Sequence, residues 1–147
     1  MDIEILKKEL TEDEGCKNEI YLDHLGYKTF GIGHLVKAVD PENDMEVGTA
    51  VSDQRVSECF VNDIEKVIED CIILYEDFYT LPDEVQLIVA NMMFNLGRPR
   101  LTNFIKMKTA VDNHDWQEAA IQMKDSKWYK QVPNRAERLC ERMRNIS

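Results

Sequence analysis

Residues 13–34 read DEGCKNEIYLDHLGYKTFGIGH, and their reading decides the fold. Just upstream, Ile3, Leu6 and Leu10 recur at spacings of three and four with Glu4, Lys7, Lys8 and Glu9 between them. That period predicts an amphipathic helix. Glu14 stands directly before Gly15, so Glu14 is predicted to be the last residue of this helix, with the glycine just beyond its end. Residues 20–34 then alternate and are rich in Ile, Tyr, Thr and Phe, with Gly26 in the middle, which predicts a β-hairpin. Asp23 and Thr29 have the same parity on opposite arms and are predicted to face a common side. Gly31 and Gly33 would let a ligand come close to the backbone.

These residue types suit one chemistry. The C-terminal end of a helix carries partial negative charge, so a carboxyl there is easier to keep protonated. A protonated carboxyl facing a carboxylate and a hydroxyl is the equipment for cleaving a glycosidic bond. One group protonates the leaving oxygen while the others hold or activate a water. Taken singly, a Glu before a Gly and an Asp before a turn are ordinary surface features.

Taken whole, the run resembles the phage-type lysozymes, whose pattern is Glu, eight residues, Asp or Cys, five residues, Thr, then Gly-Ile-Gly-His. Here it reads Glu14, Asp23, Thr29 and Gly31-Ile32-Gly33-His34. NMMFNLG at 91–97, DWQEAA at 115–120 and SKWYKQVPNRAER at 126–138 resemble further blocks of that family, in the same order. The resemblance implies a muramidase acting on the β-1,4 link between N-acetylmuramic acid and N-acetylglucosamine in peptidoglycan. It implies Glu14 as general acid, with Asp23 and Thr29 positioning and activating the water. It implies an inverting reaction, with room for that water between the carboxyls. Gly31 and Gly33 fall in the supporting part of the motif. Arg135 matches an arginine that pairs with the catalytic glutamate. His34 and Asp63 match a structural ion pair, and Asn95 stands where the family often has Gln beside the substrate.

The implied fold is α+β and mostly helical, with two lobes in one domain over 1–147. A β-hairpin lobe is expected at about 15–55 and a helical lobe from 1–14 plus 79–147. A connecting helix is expected over 53–78, where Val56, Phe60, Ile64, Val67, Cys71, Tyr75 and Phe78 keep a helical period after Ser52 as N-cap. Residues 36–51 read as a loop. Val85 to Leu96 is apolar nearly all round and predicts a buried helix, which Gly97-Arg98-Pro99 ends. Helices are expected at about 101–112, through Trp116 to Met123, and from about Asn134 to Arg144. Trp128 and Tyr129 read as core anchors.

Composition narrows the function classes. With 18 Lys and Arg against 28 Asp and Glu, the chain carries a net charge of −10. Nothing resembles a basic stripe for phosphates, so nucleic acid is not expected as a partner. No apolar run approaches a membrane span, and MDIEILKKEL does not read as a signal peptide. The expected setting is host cytoplasm, with holin-dependent access to the wall, as for an endolysin; virion-associated or effector delivery is the alternative setting. A monomer is expected. Cys16, Cys59, Cys71 and Cys140 form no CxxC pair and the three histidines are scattered, so no zinc site is expected, and without an export signal the thiols are read as free. The lysozyme-like reading implies a reaction with neither metal nor organic cofactor. The familiar members of the family are basic, so the acidity is a departure. It keeps a rival reading in view, a catalytically inactive lysozyme-fold protein that binds peptidoglycan or acts as a scaffold. A chitin-directed glycosidase is a third reading.

Overall fold

The computed structural model describes all residues, Met1–Ser147. It is predominantly helical, with one small antiparallel sheet, as the α+β reading predicts. The chain divides into two compact units, Lys7–Lys66 and Met1–Leu6 together with Val67–Ser147.

The Lys7–Lys66 unit takes most of helix α1 (Ile3–Glu14), three strands, and the first part of helix α2 (Asp53–Leu74). The strands β1 (Lys17–Leu22), β2 (Lys28–Gly31) and β3 (His34–Leu35) lie in the order β1-β2-β3. Tyr21 pairs with Thr29 and Leu22 with Lys28, while Lys17 pairs with Gly31. Two residues in β1 therefore have no counterpart in β2, and the ladder bulges between Lys17 and Tyr21. Ile20, Phe30, Val51, Val56 and Cys59 form the buried core of this unit, with Ile32 and Val36 packed against it. Burying a side chain such as Ile20 or Phe30 contributes roughly 1.5–3 kcal/mol. Ser52 caps α2 as the sequence predicts, accepting the Arg55 N–H through its hydroxyl at 3.1 Å.

Residues 36–51 are more ordered than a plain loop. They hold a 3-10 turn at Pro41–Asp44 and a bridge between Glu19 and Ala50. Lys28 Nζ donates to the carbonyls of Asn43 and Met45, tying the turn to β2.

The other unit is built around helix α3 (Asp83–Leu96), whose residues from Val85 to Met93 are all buried. Around it lie α4 (Arg98–Leu101), α5 (Ile105–Asp112), α6 (Trp116–Lys124), α7 (Lys127–Gln131) and α8 (Pro133–Arg144). α6 packs on both α5 and α8, and α8 packs on α3. Two boundaries differ from the sequence reading. α2 stops at Leu74, and the helical spacing of Tyr75 and Phe78 continues in a 3-10 turn at Phe78–Thr80. Both side chains are buried all the same, so the apolar spacing reports burial there and not helix. The helix expected from 101 begins at Ile105, because residues after Gly97 form α4 first, with Pro99 in its first turn. No helix is long and apolar enough to cross a membrane.

Candidate active site

Glu14 is the last residue of α1, as the sequence predicts. Gly15 follows with φ +72°, and its N–H donates to the Thr11 carbonyl at 2.9 Å, closing the helix end. The carboxyl of Glu14 packs against Gly33. A Cβ on Gly33 would lie 2.8 Å from Glu14 Oε1 and 3.0 Å from its Cδ, and Gly33 has φ +63°. A Cβ on Gly31 would meet Val56 Cγ1 at 3.0 Å. The bare backbone at these glycines is thus filled from within, by the site carboxyl at Gly33 and by the core at Gly31.

Asp23 lies beyond β1, in the turn, so strand parity does not set its direction. Its Oδ1 accepts the backbone N–H of Leu25 and of Tyr27, each at 2.9 Å. Its own N–H donates to the Tyr27 carbonyl at 2.9 Å, and its carbonyl accepts the Gly26 N–H. One carboxylate oxygen is therefore fixed by the turn, while Oδ2 makes no hydrogen bond within the chain. Thr29 is buried in β2, and its hydroxyl donates to the Tyr27 carbonyl at 3.2 Å. Glu14, Asp23, Thr29, Gly31 and Gly33 all belong to the Lys7–Lys66 unit.

His34 is held at both ring nitrogens. Nδ1 lies 2.7 Å from Asp63 Oδ2 and Nε2 lies 2.8 Å from Asp40 Oδ2. Burial disfavours the charged ring, but the hydrogen bonds and charges of Asp63 and Asp40 outweigh it and raise the His34 pKa. Burial also works against the Asp40 carboxylate. The Lys37 N–H, His34 and Arg55 outweigh it and hold the Asp40 pKa below its usual range. Arg55 forks onto Glu42, with Nε and Nη2 each 2.9 Å from a carboxylate oxygen. That pairing lowers the Glu42 pKa although the residue is buried. Asp63 and Arg55 stand on α2, so the network clamps residues 34–42 to that helix.

Asn95 and Arg135 lie in the other unit. Asn95 Oδ1 accepts the indole N–H of buried Trp128 at 2.8 Å, so this amide anchors a core tryptophan. Arg135 is buried, and its Nε donates to Asn91 Oδ1 at 2.9 Å. Cys59, Cys71 and Cys140 are buried free thiols, and burial pushes Cys71 up to about 12, leaving it inert at neutral pH. Cys16 is exposed.

A phage lysozyme family model matches residues 11–145. The chain belongs to the phage lysozyme family. It is a glycoside hydrolase of the lysozyme class. A probable T4-type lysozyme of Dictyostelium discoideum is 30% identical over 91% of this chain and 90% of its own length. A peptidoglycan hydrolase, gp36, of Pseudomonas phage phiKMV is 27% identical over 93% of this chain but only 15% of its own length. The pre-baseplate central spike protein Gp5 of Enterobacteria phage T4 is 30% identical over 88% of this chain and 26% of its own length.

Sequence reasoning missed Tyr21, Asp40, Glu42 and Arg55. A lone arginine at the start of α2, after an acid-rich stretch, was the available signal for the Arg55 pairing. Tyr21 carried none, because tyrosine in a strand already satisfies β propensity.

Proposed function

We propose that the chain is a muramidase that hydrolyses the β-1,4 bond between N-acetylmuramic acid and N-acetylglucosamine in peptidoglycan. Glu14 is the general acid, and Asp23 with Thr29 positions and activates the attacking water. The observation that carries this reading is the state of Asp23. One of its oxygens is immobilised by two backbone N–H groups and the other is uncommitted. That is the condition of a carboxylate held ready for a water. Glu14 stands at a helix end with its carboxyl packed against Gly33. A hydroxyl at position 29 leaves room for a water that a second carboxylate would displace, which favours inversion. The reaction needs neither metal nor organic cofactor.

The test is clearing of outer-membrane-permeabilised bacteria by the wild type and by Glu14→Gln, across pH and ionic strength. Clearing by the wild type and near-complete loss in the variant is the expected result. A folded wild type that clears nothing at any salt would sink the reading and favour an inactive binding or scaffold protein.

For the setting, we propose an endolysin that accumulates in host cytoplasm as a monomer and reaches the wall through a holin. The phage relatives in which the matching part is a small share of a long protein favour a second setting, delivery as part of a particle. Fractionating lysates separates the two, since recovery of the protein in purified particles would refute the first.

A further inference from the structure

Tyr21 stands on the site face of the sheet and is not part of the machinery described above. It is the direct cross-strand partner of Thr29, and such partners project to the same face with Cβ atoms about 4.5–5.5 Å apart. Its neighbours on either side of that pairing, Ile20 and Phe30, turn the other way into the core. The bulge between Lys17 and Tyr21 brings the Lys17 ammonium over the phenol ring, 4.3 Å from its centroid. One ring face is therefore covered by a cation and is closed to a stacked sugar. The ring itself is half-buried.

The hydroxyl is a different matter. It hydrogen-bonds to no group of the chain. Burial, then Glu14, then Asp23 raise the Tyr21 pKa above its ordinary value, so the group is a neutral donor throughout the working range. The phenol is thus an unpaired donor on the same face as Thr29, on a ring whose other side Lys17 covers, and it is available to something that enters later.

We propose that Tyr21 contacts the glycan, its hydroxyl donating a hydrogen bond to a sugar oxygen beside Glu14 and Asp23, with Lys17 holding the ring in place. The proposal rests on the muramidase reading for the identity of the glycan. Its test separates the two. Tyr21→Phe removes the hydroxyl and keeps the ring and its cation. Its kcat/KM on uncrosslinked peptidoglycan strands is expected to fall about tenfold, the loss of one hydrogen bond to substrate. Its thermal midpoint is expected to stay at the wild-type value. In a Glu14→Gln background, affinity for the same strands by calorimetry is expected to fall by a similar factor. Lys17→Met should weaken binding without touching the hydroxyl.

Wild-type activity and affinity in Tyr21→Phe would overturn the contact. So would a loss that comes with a lowered thermal midpoint, since the hydroxyl would then be supporting the fold. If the wild type binds the strands without cleaving them and Tyr21→Phe still weakens binding, the contact stands and the muramidase reading falls.

Discussion

Replacing Gly33 with alanine tests whether the placement of the Glu14 carboxyl matters to the chemistry. The new Cβ would sit 2.8 Å from Glu14 Oε1, and ordinary contact begins at 3.4 Å, so the carboxyl must retreat by roughly 0.6 Å. A misplacement of about 1 Å in a reacting group costs on the order of a hundredfold in rate, so about tenfold is expected here. Alanine at φ +63° also strains the backbone by roughly 1–2 kcal/mol. The control is Gly31→Ala. Gly31 has the same φ, +63°, but its Cβ meets Val56 of the core and not the site. Both variants should melt a few degrees early, by roughly 2–4 °C for each kcal/mol lost. Only Gly33→Ala should lose specific activity when both are assayed by clearing rate well below their midpoints. Equal activity in the two variants would refute the reasoning, because backbone strain alone would then account for any loss.

Three further outcomes follow from other parts of the molecule. The clamp on His34 should give stability a pH window. The raised His34 pKa stabilises fully below its unfolded value near 6.5, and the effect fades as pH climbs through the folded pKa. The lowered Asp40 and Glu42 values stabilise above their unfolded values of 3.8 and 4.5, and the effect is lost as pH falls through their folded values. The thermal midpoint should therefore peak between these limits and lose its alkaline slope in His34→Gln; an unchanged slope in that variant would contradict the account. Asn95→Leu strands the Trp128 indole N–H and should cost roughly 1–3 kcal/mol in urea unfolding, with a midpoint like wild type as the contrary result. Thr29→Glu should divert the reaction towards a covalent glycosyl-enzyme, and mass spectrometry finding only unmodified protein after substrate treatment would count against the assigned water site.

What the sequence disclosed was what local chemistry determines. Glu14 at a helix end and the turn at Gly26 are each fixed by a glycine beside them, and both stand where residues 13–34 predict. Thr29 pairs across that turn because the hairpin register follows from it. The Asp40, Glu42 and Arg55 contacts were illegible for the opposite reason. They join an irregular stretch to a helix 13 to 15 residues away, and no periodicity marks which acid meets which base. Asn95 shows a related limit, since position beside a motif did not reveal that its amide serves Trp128. Gly33 was read as a place where a ligand comes close, and only coordinates show that the Glu14 carboxyl packs there.

The hydrogen bonds within the Asp23 turn bear on how this domain tolerates engineering. Hairpin tips are ordinarily the safest place to lengthen a chain, graft an epitope or insert a tag. Here the tip from Asp23 to Tyr27 is knitted together by the carboxylate itself, through the N–H groups of Leu25 and Tyr27. One residue added between them would leave the hairpin free to form a longer loop and the domain free to fold, while Asp23 lost its anchor. Library designs that spare the core but vary the length of the turn between Asp23 and Tyr27 are then expected to yield folded proteins without activity. The length of this turn is a constraint of the same rank as the identity of the residues around it.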